Sequence, residues 1–127
     1  MSPYRPLLLA LAVACAAPPA RATDMFGDGY KPCGDAASTA AGADCVAAKT
    51  KIWDKRLNAD YKALQGTIGQ PQQEPLRTAQ RLWVQYRDAN CGFYGKQEGS
   101  IAQLQQAECL RAMTQDRALE FEQAMKP

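Results

Sequence analysis

Residues 73–92 read Gln73-Glu-Pro-Leu-Arg-Thr-Ala-Gln-Arg-Leu-Trp-Val-Gln-Tyr-Arg-Asp-Ala-Asn-Cys-Gly92, and this stretch decides the fold class. Leu76, Ala79, Trp83, Tyr86 and Asn90 recur at steps of three and four, the period of an amphipathic helix. Arg77, Arg81, Gln85 and Arg87 lie beside or opposite that stripe. Pro75 suits a first helical turn, where a missing N–H is harmless. Gly92 to Gly99 is a glycine-punctuated connection to the next element.

The segments on either side read the same way. Upstream, Asp44 is the expected N-cap of a helix beginning at Cys45, with Ala48, Ile52, Leu57, Tyr61 and Leu64 as its apolar face. Gly66 and Gly69-Gln70-Pro71 end it. Downstream, Ser100 is the expected N-cap of a helix over 101–125, with Ile101, Leu104, Ala107, Leu110, Ala118, Phe121 and Met125 inward. Glu108 and Arg111 make a surface pair on that helix, worth a few tenths of a kcal/mol. No run alternates as a strand would. The fold class is therefore all-α: a small antiparallel three-helix bundle over 44–127, preceded by an irregular arm at 23–43 rich in Gly, Ala, Asp and Ser.

The first 22 residues read as a secretory signal. Arg5 gives the positive start, Leu7 to Ala14 the apolar stretch, and Ala20-Arg21-Ala22 a small-x-small cleavage site. The apolar run is shorter than the ~20 residues of a membrane span. Small residues also precede Cys15, so lipid attachment there is the alternative to its removal with the signal. The expected location is periplasmic or secreted, or the envelope through a lipid on Cys15. Arg5 and Arg21 leave with the signal, so a formal charge of +2 falls to balance, with thirteen basic and thirteen acidic side chains. That balance argues against nucleic acid as a partner.

Four cysteines remain: Cys33, Cys45, Cys91 and Cys109. An even number in an exported chain implies two disulfides. The bundle topology gathers three of the four at one end without fixing their pairing. Cys33–Cys45 with Cys91–Cys109 is preferred because each link joins adjacent segments, though all three pairings are open. No histidine occurs, which removes imidazole catalysis and His-containing zinc sites. With no Cys-x-x-Cys pair either, neither metal nor cofactor is expected. Carboxylates scattered over helix surfaces give no general acid and base, so the chain reads as a binding protein rather than an enzyme.

The polar and aromatic residues divide into two groups. Trp83 and Tyr86 read as core. Arg81, Arg87 and Asp88, with Asn58, Thr114 and Arg117, read as a structural polar network at a helix junction; a charged contact surface is the other reading. Phe93, Tyr94, Lys96 and Glu98 occupy the connection. Their aromatics either cover the bundle end or stand on a protruding loop fixed by a Cys91–Cys109 link, and these four are the candidate partner-binding residues.

Taken together, Leu57-Asn58, Tyr61 and Leu64, the run Ala79-Gln80-Arg81-x-Trp83-x-x-Tyr86-Arg87-Asp88-x-x-Cys91, Gly99-Ser100, Cys109-Leu110, Met113-Thr114 and Arg117 resemble the domain family of the lysozyme inhibitor LprI. The resemblance spans Cys33 to about Leu119. It departs at Glu98-Gly99, where two glycines would fit the pattern. It implies an exported, disulfide-bonded helical domain whose partner is a protein, c-type lysozyme, bound so as to occlude its active-site cleft. A cell-envelope structural or adaptor module with another protein partner is the alternative.

Overall fold

The computed structural model describes residues 31–127. The signal sequence, Cys15 and the first part of the arm lie outside the described residues. A single 3-10 turn, Lys31–Cys33, leads into three helices, α1 (Thr39–Thr67), α2 (Gln70–Gly95) and α3 (Ile101–Ala124). The chain runs up, down and up. α1 and α3 are parallel and pack along their length, and α2 returns antiparallel against α3. α1 and α2 are separated by two residues, Ile68 and Gly69, and stay apart except near the corner joining them.

α1 starts earlier than the Asp44 cap predicts. Ser38 is extended and its Oγ accepts from the Ala41 N–H at 3.1 Å, so Thr39 to Ala43, assigned above to the arm, form the first helical turns. The Ala-rich stretch has good helix formers, and a cap at its head is enough to order it. α2 also begins early, at Gln70, with Pro71 in the first turn; Pro75 is inside the helix and exposed. Ser100 does not cap α3. Its backbone is helical and its side chain makes no cap bond; Gly99, at φ +89°, makes the turn, and its carbonyl accepts from Ala102.

Two apolar clusters lie in the seam between α1 and α3. One joins Cys33, Val46 and Leu104 near the helix starts. The other joins Leu57, Leu64, Ala118 and Phe121 near the helix ends, with Trp53, Tyr61, Leu76, Trp83 and Met125 against it. Gly42 is buried beside Leu104, and a Cβ added there would lie 3.5 Å from Leu104 Cδ1.

Of the predicted inward face of α1, Leu57, Tyr61 and Leu64 pack inward, and Gly42, Val46 and Trp53 complete the face in place of Ala48 and Ile52. Ala48 is exposed and Ile52 is 71% exposed. The inward row passes through half-buried Lys49, so a search for apolar spacing drifts to Ala48 and Ile52 in the first half of the helix. Ile101, expected inward, is 40% exposed.

Glu108 and Arg111, read above as a surface pair, are buried. The Arg111 guanidinium donates from Nε to Glu108 Oε2 at 2.7 Å and from Nη2 to Glu108 Oε1, and it also reaches Gln115. The Glu108 hydrogen bonds raise the Arg111 pKa above its ordinary value, against the opposing effect of burial. Asp60 on α1 is half-buried, not on the solvated surface as a polar residue of that helix is expected to be. It pairs at 3.6 Å with Arg56, which bridges to Glu122 on α3 and lies 5.2 Å from the Trp53 ring centre.

Candidate functional site

The two disulfides are Cys33–Cys45 and Cys91–Cys109, the pairing that joins adjacent segments. Cys91 is fully buried near the end of α2 and is linked to the third turn of α3. Met113 Sδ lies 3.7 and 3.9 Å from the two bridge sulfurs. Disulfide sulfurs carry no proton, so these are packing contacts. Asn90 Nδ2 donates toward Met113 Sδ at 3.4 Å and Cys109 Sγ at 3.5 Å, closing the polar side of the link.

Beyond this link the chain turns through Lys96–Ser100. The Lys96 N–H donates to the Phe93 carbonyl and the Gln97 N–H to that of Tyr94, so the turn is hydrogen-bonded to the end of α2. Phe93 is 66% exposed and Tyr94 is 37% exposed. Their rings meet edge-to-face at 5.3 Å between centres. Lys96 and Glu98 are exposed beside them. The aromatics therefore do not cover the bundle end; Phe93 and Tyr94, expected in the connection, stand on the last turn of α2, and Lys96 and Glu98 on the open turn that follows, with the Cys91–Cys109 bridge just below.

The six polar residues read as one network are spread over separate local contacts. Asn58 donates to Asp54, its neighbour one turn back on α1. Arg81 donates to Thr78 at 3.4 Å. Arg87 grips Asp88 at 2.8 and 2.9 Å. Thr114 is fully buried, and its hydroxyl has no hydrogen-bond partner among the described residues. Arg117 donates to Gln80 on α2 at 3.0 Å and to Glu120 at 2.7 Å.

Besides the Arg87–Asp88 pair, Arg87 and Arg117 converge, through an aromatic ring. Their guanidinium carbons lie 5.1 and 5.8 Å from the Trp83 ring centre. Arg117 also lies 4.5 Å from Phe121. Trp83 is half-buried by this cover, while Tyr86, expected in the core, is 61% exposed. α2 rests on α3 over one side only, so a full turn of its apolar residues cannot be covered.

Two shallow grooves accompany these elements. One, of about 290 Å³, lies between α1 and α3 and is lined by Ala43, Ala47, Thr50, Gln103, Ala107 and Leu110 among others. The other, of about 370 Å³, sits at the α1–α2 corner against Leu64, Ile68, Pro75 and Leu76. Among the described residues no three metal-ligating side chains gather. No helix among them is long and apolar enough to cross a membrane.

The family model of the lysozyme inhibitor LprI matches residues 33–121. No curated protein and no solved structure matches the chain significantly. The match starts at the first bridging cysteine and ends at the core phenylalanine of α3, so it takes in both disulfides, all of α1 and α2 and most of α3. On that match the chain belongs to the LprI lysozyme inhibitor family.

Proposed function

We propose that this protein is exported and blocks the active-site cleft of a c-type lysozyme with the α2–α3 turn. The observation that carries the reading is the exposed Phe93–Tyr94 pair, set on the last turn of α2 where it enters a turn whose base is fixed by Cys91–Cys109. An inhibitor of this kind needs affinity and no chemistry, and a fixed loop loses little entropy on docking. A lysozyme cleft is flanked by two carboxyl groups, and Lys96 is the cation on this turn suited to face them. The aromatics supply the apolar contact that anchors such an interface.

Export rests on residues 1–22 as a signal sequence, and two disulfides belong in an oxidising compartment. The protein then resides in the periplasm or outside the cell, or on the envelope if Cys15 carries lipid. The intact mass of soluble and membrane fractions distinguishes these. The function is tested with muramidase assays on the oxidised protein. Saturable inhibition with one-to-one stoichiometry supports the reading. Full lysozyme activity at large molar excess rejects it for that enzyme and leaves an envelope adaptor as the role to pursue.

A further inference from the structure

The side of α1 turned away from α3 carries a row of cations that the chain does not neutralise. Ala48, Lys51, Ile52, Lys55, Ala59 and Lys62 are all exposed. At about 100° per residue they share roughly 100° of arc, opposite the buried Val46, Leu57 and Leu64. Lys51 to Lys62 spans about 16 Å along the helix axis. Among the described residues none of these three lysines has a carboxylate within ion-pair distance. Asp44 stands on the same row two turns before Lys51, but no carboxylate lies in it from Ala48 to Lys62. Asp54 lies to one side, where it accepts from Asn58, and Asp60 is on the flank, paired with Arg56. α2 packs on α3 and stays apart from α1 over this length.

The kind of cation points to the kind of partner. Arg56, Arg77, Arg87, Arg111 and Arg117 are each engaged with carboxylates of this chain. The exposed row of α1 is lysine throughout. An ammonium is a compact point charge on a flexible stem, suited to a diffuse anionic surface, whereas the guanidinium fork suits directional, bidentate contacts. The residues between the lysines are alanines and one isoleucine, 71% exposed, so the row is a low, straight strip. We propose that α1 lies along a membrane surface rich in anionic phospholipid, with Lys51, Lys55 and Lys62 on the phosphates and Ile52 between the headgroups. The whole chain is near charge balance, so the attraction belongs to this face and acts within a Debye length of the surface. The α2–α3 turn is not part of this face, and the proposal stands or falls apart from lysozyme inhibition.

Cosedimentation of the oxidised protein with lipid vesicles tests it. Partition into vesicles of equal phosphatidylglycerol and phosphatidylcholine should exceed partition into phosphatidylcholine alone at least about tenfold at low salt. The excess should vanish near ~1 M salt, where screening is nearly complete. An acyl chain on Cys15 adds equally to both vesicle types and cancels in the ratio. Equal partition into both overturns the proposal. Lys51→Gln, Lys55→Gln and Lys62→Gln should each lower the ratio about fivefold, with helical circular dichroism unchanged. An unaltered ratio in the triple variant overturns the face as the contact. Lys126→Gln removes the same charge just past the end of α3 and should leave the ratio as it was; an equal loss there shows that net charge, not this row, governs binding, and the proposal fails. Tighter binding to soluble polyglutamate than to the anionic vesicles shows instead that the row takes an acidic protein, and the membrane reading is then wrong.

Discussion

Glu108 and Arg111 form a two-pronged ion pair within one turn of α3, with their side chains 6% and 5% exposed. Removing one member leaves the other charged and buried, which costs about 3–5 kcal/mol. Arg111→Met should therefore lower stability by about that amount in urea or thermal unfolding. Glu108→Leu combined with Arg111→Met should recover part of the loss, since an apolar replacement removes both charges together. The hydrogen bond raises the folded Arg111 pKa, so its contribution is complete below the unfolded Arg pKa and is lost only as pH climbs through the raised value. Alkaline solutions that neutralise lysines should leave this contribution in place.

The two disulfides close loops of similar length, with sequence separations of 12 and 18. Chain entropy assigns each about 3 kcal/mol. Replacing either pair with serines should lower stability by a similar amount, but the functional effects should separate. Loss of Cys33–Cys45 frees the arm at the head of α1 and should leave inhibition intact in a folded protein. Loss of Cys91–Cys109 releases the base of the turn and should weaken inhibition. Inhibition constants measured below the melting transition of each variant check this.

Phe93→Ala and Lys96→Glu alter exposed side chains, so stability should stay within about 0.5 kcal/mol of the parent. Lysozyme inhibition should weaken at least about tenfold in each, as expected for central contacts of an interface. Equal loss of stability and inhibition would contradict the assignment of these residues to the contact surface.

Glycines in and beside the turn should respond with opposite signs. Gly99 has φ +89°, a conformation that costs a residue with a Cβ about 1–2 kcal/mol, so Gly99→Ala should destabilise by that amount. Gly92 lies within α2 with open space around a prospective Cβ, so Gly92→Ala should stabilise by about 0.5–1 kcal/mol. Denaturant midpoints of the two variants measure both effects.

The three helices and their order are legible in the sequence because Leu57, Leu64, Leu104, Ala118 and Phe121 repeat at helical steps and glycines punctuate between them. The bundle topology gathers three cysteines at one end but leaves three pairings open, and the one observed is the one preferred for joining adjacent segments. The faces are less legible. Ile52 and Tyr86 are as apolar as Val46 and Trp53, and only the asymmetric packing, with α3 touching both neighbours while α1 and α2 splay apart, decides which of them is covered. Glu108 and Arg111 look like any surface pair at a three-residue step, and their burial depends on what else rests on α3. The polar residues of the shared motif suggest one network, yet Asn58 and Arg81 make only local contacts on their own helices. The four residues of the turn could be named from sequence, but whether Phe93 faced in or out could not.

Both cystine links lie at the end where α1 and α3 begin, beside the α2–α3 turn. The far end, around Leu64, Phe121 and Met125, is held without covalent help. The end that bears the α2–α3 turn has the smaller apolar cluster, around Val46 and Leu104, and relies more on its covalent links. If the turn is the contact surface proposed above, closure of the links arms it: the tip becomes firm where an oxidant for thiols is at hand.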